Sequence, residues 1–242
     1  MGWFEEWFGT RYYALLYGHR DERDAGAWVE MIMRQWRLRP GSRILDMACG
    51  RGRHAGCFQA AGMQVEGIDL SAQSIAEARE RYPEVPFHVH DMRQPFAEGR
   101  FDGVTCLFTS LGYFDNLSDD SAVLRSAYHA LVPGGRLVID FMNTPKVLSE
   151  LVAQETMEKE GVRFEIARRS ENGIIIKSIV VFDGDRIERF EERVLALLPE
   201  VIEGLAVQEG FEVEARTDGP DPAPYDPLRS GRYVLWLKRP LE

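Results

Sequence analysis

Between residues 24 and 38 the apolar side chains Ala25, Trp28, Val29, Ile32 and Trp36 recur at three- and four-residue spacing. That is the period of one helix face, and Pro40-Gly41 ends the run. The pattern then alternates. Short apolar runs at residues 44–46, 65–69, 87–90, 101–107 and 136–141 read as strands. A helix is predicted from Ser71, a good N-cap, to about Tyr82, where Pro83 stops it. Another is predicted from Ser118 as cap, with Val123, Leu124, Ala127, Tyr128 and Leu131 on one side and Pro133-Gly134-Gly135 as its close. Strands separated by helix-length connections imply βαβ units and a parallel sheet.

After about Pro145 the period changes. Residues 162–169, 174–182 and 186–197 are β-rich, with Asn172-Gly173 and Asp183-Gly184 between them. Such dipeptides favour tight hairpins, so an antiparallel three-stranded insert is predicted. A helix near 199–208, a strand at 211–216 and a last strand at 233–238 resume the main pattern, and Pro220, Pro222, Pro224 and Pro227 mark a stiff loop. The expected fold class is α/β: a doubly wound, mostly parallel seven-stranded sheet with an antiparallel β insert after the fifth strand. The expected divisions are an N-terminal helical cap or lid (1–40), a ligand-binding core (41–150), the insert (151–198) and completion of the core sheet (199–242).

The 242 residues can bury a full core. A hydrophobic share of 45% with 28% charged is an ordinary globular balance. The net charge of −10 argues against a nucleic-acid partner, which needs a concentrated basic face. Three cysteines with no CxxC pair point to a reduced compartment. The segment MGWFEEWFGT lacks the pattern of a signal peptide, and no apolar run approaches the roughly 20 residues of a membrane span. The expected location is cytoplasmic, away from membranes.

The chemistry concentrates at residues 43–55, RILDMACGRGRHA. An apolar strand ends in Asp46, the glycines Gly50 and Gly52 break it, and a helix-compatible segment follows. This geometry lets backbone N–H groups approach a nucleotide-like ligand. The match Gly50-x-Gly52-x-x-Ala55 also fits the dinucleotide fingerprint, so a nicotinamide-dependent oxidoreductase is one reading. Asp46 weighs against it, because a pyrophosphate on that turn would meet an uncompensated carboxylate. Asp69 ends the second strand in GIDLS, where an acid accepts ribose hydroxyls in nucleotide-binding α/β folds; beside Ser71 it also suits a helix N-terminus. Asp91 ends the third strand in HVHDMR. The three acids are 23 and 22 residues apart, one βαβ step each, which puts all three at carboxyl ends of adjacent strands. His88 and His90 share a strand face, but no third ligand cluster accompanies them, and no metal site is expected.

The acid followed by a Gly-x-Gly turn, with FTSLGYF and DMR further on, resembles the class I S-adenosylmethionine (SAM)-dependent methyltransferases, in a branch acting on small molecules of uncharacterised identity. The resemblance covers roughly residues 12–143. It implies a Rossmann-like methyltransferase fold, SAM as cofactor and S-adenosylhomocysteine (SAH) as product, with a methyl transferred to the nitrogen or oxygen of a small-molecule acceptor. It implies that Asp46 holds the amino group of SAM, with Ala48 standing where glycine is frequent in the family, and that Asp69, with Leu70 beside it, holds the ribose. Asp91 and the N–H of Met92 would meet the adenine, and Phe108 and Thr109 would line the cofactor. Tyr113 would face the acceptor, and the segment 12–22 would fold over the site. Within it Tyr13 is assigned to the acceptor side, Tyr17 closes on the cofactor, and Arg20 pairs with the methionyl carboxylate. The insert would build the acceptor pocket or a homodimer contact. A non-catalytic SAM-binding protein is the other alternative.

Overall fold

The structure is a computed structural model and describes residues 7–18, 22–114, 116–219 and 221–241. Five strands form the parallel part of the main sheet: β1 (Arg43–Met47), β2 (Gln64–Asp69), β3 (Phe87–Val89), β4 (Phe101–Cys106) and β5 (Leu131–Met142). In chain order the helices are α1 (Arg11–Leu16), α2 (Glu22–Trp36), α3 (Arg53–Ala60), α4 (Ala72–Arg81), α5 (Leu117–Ala130), α6 (Thr144–Ser149) and α7 (Pro199–Gln208). Three later strands, β10 (Glu212–Asp218), β11 (Asp221–Pro224) and β12 (Arg232–Lys238), complete an eight-stranded sheet of order β11-β10-β12-β5-β4-β1-β2-β3. Strands β12, β10 and β11 run antiparallel. The sheet has one strand more than the sequence pattern predicts, because part of the proline-rich loop pairs with β10 through Thr217 and Asp218. It does so at the sheet's edge, where residues without an N–H are tolerated.

The chain leaves β1 toward β2 and β3 on one side and β4 and β5 on the other. That reversal makes a switch point at the carboxyl ends of β1 and β4, where open α/β sheets bind ligands. β1 is buried on both faces, as a central parallel strand must be. Leu45 and Met47 join the core under α5 and α7, while Ile44 joins Trp28, Ile32 and Trp36 of α2. Burying each such side chain contributes roughly 1.5–3 kcal/mol. Ser71 caps α4, its Oγ accepting from the Ser74 N–H at 3.1 Å. The cap of α5 is Asn116, whose Oδ1 accepts from the Asp119 N–H at 3.0 Å, and not Ser118. Pro133-Gly134-Gly135 lies inside β5 as an irregularity in its pairing with β4, since α5 already ends at Ala130.

The insert has four strands, not three: β6 (Gln154–Lys159), β7 (Val162–Glu171), β8 (Ile174–Asp183) and β9 (Arg186–Leu195), antiparallel in sequence order. Asn172 and Gly173 take φ of 50° and 75° at the first long hairpin, the turn their identity predicts. One face of this sheet is not self-sufficient. Val162, Phe164, Ile166, Ile179 and Val181 bury against Trp7, Tyr12 and Leu16, so the N-terminal segment and the insert share a core of their own. Among the described residues, no helix is long and apolar enough to cross a membrane.

Candidate functional site

The turn after β1 is built from left-handed backbone. Ala48, Gly50 and Gly52 have φ of 55°, 54° and 77°. This conformation is natural only for glycine, and it turns the Gly50 N–H onto Asp69 and the Gly52 N–H onto the Cys49 carbonyl. A Cβ on Gly50 would meet nothing within 4 Å, so the turn leaves an open cradle there. Gly52 serves packing instead. A Cβ there would stand 2.5 Å from the Phe87 ring, and the residue does not line the cleft. Its smallness lets α3 pack on the sheet, and the expectation that it touches a cofactor is corrected.

A cleft of about 770 Å³ opens at the switch point, and Asp46, Asp69 and Asp91 all line it. Asp46 is only 1% exposed. Its Oδ1 accepts from the Thr105 hydroxyl at 2.8 Å, while Oδ2 is buried with no hydrogen-bond partner. Burial pushes its carboxyl up to about 7, against the pull of the Thr105 hydroxyl, the nearby Ala55 N–H and Arg53. An acid in this condition asks for a cationic donor. Asp69 accepts the Gly50 N–H on Oδ2 and the Ser71 N–H on Oδ1, both at 2.8 Å. Burial raises its pKa while backbone N–H groups, those of Ser71 and Gly50 foremost, oppose the rise. Each of its oxygens keeps a lone pair for a further donor.

Asp91 differs from expectation in its setting. β3 ends at Val89, so Asp91 lies in the following loop, and its carboxylate is gripped by Arg93 through Nε at 3.1 Å and Nη2 at 2.7 Å. Arg93 holds its pKa below the ordinary value. Arg93 also reaches Asp119 at 3.1 Å and lies 4.7 Å over the Phe114 ring. His88 and His90 both pack on Phe96, with ring centroids 5.2 and 5.3 Å away.

Ala48, Gly50, Leu70, Met92, Phe108, Tyr13, Tyr17 and Tyr113 line the cleft. Thr109 does not. With φ of 61° its backbone turns the side chain away, and its hydroxyl accepts from Arg232 at 2.9 Å. Arg20 lies outside the described residues. Sequence reasoning missed Arg53 and His54, which both line the cleft. His54 is buried and stacks on Phe108 at 5.2 Å, and burial, then Arg53, lowers its pKa to about 3, so it is neutral. The Arg53 guanidinium sits 4.7 Å over the other partner of that stack, the Phe108 ring, and 3.3 Å from Asp24. The helical position of both, just past the glycine turn, was the available signal.

The roof comes from the N-terminal segment: Phe8, Tyr13, Ala14, Tyr17 and Gly18 line the cleft, and among the described residues none from the insert does. The expectation that the insert itself builds the pocket wall is corrected; it is the platform that carries the roof. Tyr17 donates its hydroxyl hydrogen to Glu192 on β9, 2.8 Å away, and accepts from Lys177 on β8 at 2.6 Å. Trp7 Nε1 donates to the same Glu192 at 2.6 Å. Burial and Glu192 raise the Tyr17 pKa well above its ordinary value, so the phenol stays neutral.

Residues 44–135 match a family model described as a methyltransferase domain. The chain is 31% identical over 211 residues to a dTDP-3-amino-3,6-dideoxy-alpha-D-glucopyranose N,N-dimethyltransferase of Streptomyces fradiae, covering 84% of this chain and 80% of that protein. It is 36% identical over 117 residues to a dTDP-4-amino-2,3,4,6-tetradeoxy-D-glucose N,N-dimethyltransferase of Saccharopolyspora spinosa; that match covers 48% of this chain and 46% of the relative, about half the relative's length. The solved structure of SAM-bound CalS10, an amino pentose methyltransferase from Micromonospora echinaspora, is similar with a TM-score of 0.72 at 25% identity, covering 95% of this chain and 97% of that one. With the switch-point cleft and its acids, these similarities place the chain: it belongs to the class I SAM-dependent methyltransferases.

Proposed function

We propose that this protein methylates a small-molecule amine, with SAM held by the three acids of the cleft. The observation that carries the reading is the Asp46 carboxylate, buried beside the open Gly50 cradle with Oδ2 unpartnered. A cationic amino group satisfies it; a pyrophosphate does not, which disfavours a nicotinamide dinucleotide. Asp69 offers its two remaining lone pairs to the ribose hydroxyls. Asp91, steadied by Arg93, and the Met92 N–H are assigned to the adenine edge. Arg53, which acts electrostatically on Asp46 from the cleft wall, is one described cation suited to the methionyl carboxylate, and Arg20 remains assigned to it from sequence alone.

When bound, SAM supplies an electrophilic methyl group that a nucleophile displaces in line. The protein's part is to orient and to exclude water. Phe8, Tyr13, Tyr17 and Tyr113 close the cleft from above, with Phe8 5.5 Å from Tyr113 and 4.9 Å from Tyr13. Aromatic faces desolvate an amine and attract a cation, and the Tyr17 hydroxyl is a neutral hydrogen-bonding group, not a base. The relatives' names, all three methyltransferases of amino sugars by their printed descriptions, put amines first among acceptors. The open cleft beneath this roof supports transfer over mere cofactor sensing.

Transfer of labelled methyl from SAM to a panel of amino sugars, their nucleotide conjugates, simple amines and phenols tests the reading. Label appearing in an amine, with SAH accumulating in equal amount, is the expected result. Absence of SAM binding by calorimetry would overturn it.

A further inference from the structure

Resting on that reading of the cleft, we infer that Asp140 and Arg232, neither of which lines it, are positioning residues that set the cofactor wall by holding the loop after β4 in a strained shape. Phe108 and Thr109 are consecutive non-glycine residues with φ of 61° each. L-residues rarely adopt this region, and such strain persists only where the surroundings over-determine it. Here they do. Asp140, on β5 and 0% exposed, accepts the Phe108 N–H on Oδ2 at 2.8 Å, and its backbone carbonyl accepts the Thr109 N–H at 3.0 Å. Arg232, at the start of β12, donates to both carboxylate oxygens from Nε and Nη2, at 2.7 and 2.8 Å. The same Nη2 donates to the Thr109 hydroxyl at 2.9 Å. One guanidinium therefore compensates the buried charge that fixes the loop and also ties down the loop's second residue.

The consequence reaches the cleft through one ring. The loop backbone aims Phe108 into the wall, stacked on His54, edge-on to Trp28 at 5.8 Å and beneath Arg53. If the loop relaxes, the ring turns and Arg53 loses the surface it rests on. A planar, bidentate donor is required, because a lysine ammonium supplies the charge without the fork.

The test is SAH binding and amide exchange in Arg232→Lys, which keeps the charge that Asp140 needs. Expected are at least a tenfold weaker Kd for SAH and faster exchange of the Phe108 and Thr109 N–H groups, in a protein that still unfolds cooperatively. The discriminating arm adds Thr109→Gly, since glycine takes the left-handed shape without strain. The double variant should bind SAH more tightly than Arg232→Lys alone, because one of the two strained residues then no longer needs the clamp. Wild-type affinity in folded Arg232→Lys, or no recovery in the double variant, overturns the inference. Failure of the parent itself to bind SAH would instead overturn the functional reading.

Discussion

Replacing Asp46 by asparagine separates what this residue does for the ligand from what it does to the fold. The carboxyl rises from 3.8 to about 7 on folding, chiefly because burial penalises its charge. Each pKa unit is about 1.4 kcal/mol, so ionised Asp46 destabilises the ligand-free protein by roughly 4 kcal/mol. The sign follows from the direction of the shift. Below pH 4 both states are protonated and nothing is lost; as pH rises to 7 the unfolded chain ionises first and stability falls; above 7 the full penalty stands. Asparagine removes this dependence but buries an amide whose N–H₂ has no partner, a penalty of about 1–3 kcal/mol. Asp46→Asn should therefore be more stable than the parent by roughly 1–3 kcal/mol at pH 8 and equal or weaker at pH 4. Between pH 5 and 8 the gap should widen by roughly 2–3 kcal/mol. Urea unfolding at several pH values without ligand measures this. Calorimetry should show the opposite ranking for binding: SAH affinity in the parent rises through pH 7 as Asp46 ionises, and in the variant it is weak and flat. A stability gap that does not change with pH would refute the reasoning.

Asp69→Ala removes the acceptor assigned to both ribose hydroxyls and should weaken SAM and SAH alike by about 2–3 kcal/mol, at least tenfold in Kd; unaltered titrations would remove that assignment. Ala48→Gly should relieve the left-handed strain at φ 55°, and after the extra chain entropy of glycine should leave a gain of about 0.5–1 kcal/mol and a melting point a few degrees higher. A lower melting point would show that the alanine methyl is itself a packing contact. Gly52→Ala should do the reverse, because its Cβ would enter the Phe87 ring at 2.5 Å. A loss of about 2–4 kcal/mol is expected, read by urea unfolding, and a variant as stable as the parent would show that Phe87 can step aside.

Features set by local chemistry could be read from the chain alone. The acids Asp46 and Asp69 at the ends of β1 and β2, the Ser71 cap, the Asn172-Gly173 turn and the helix over Trp28 and Ile32 each depend on neighbours a few residues away. Features set by partners far along the chain could not. Strand β6 reads QETMEK, with no apolar face to announce it, and it exists because β7 offers it an edge from Gln154 to Lys159. Asn116 outcompetes Ser118 as cap by a difference in geometry that composition does not distinguish. The resemblance of the loop after the fourth strand implies that Thr109 lines the cofactor, but its partner Arg232 is 123 residues away. Gly52 fits a ligand motif, yet the constraint on it comes from Phe87. In each case the residue type was legible and the contact that fixes its role was not.

The shared burial of Trp7, Tyr12 and Leu16 with the insert sheet bears on how these segments can be exchanged with those of a relative. Residues 7–18 and 154–195 contribute to one buried cluster despite the distance between them in sequence. A chimaera that receives only one half from a relative would present an uncovered oily surface and a roof without its footing. Both halves must be exchanged together, with Glu192 and Tyr17 as the joint that keeps them in register.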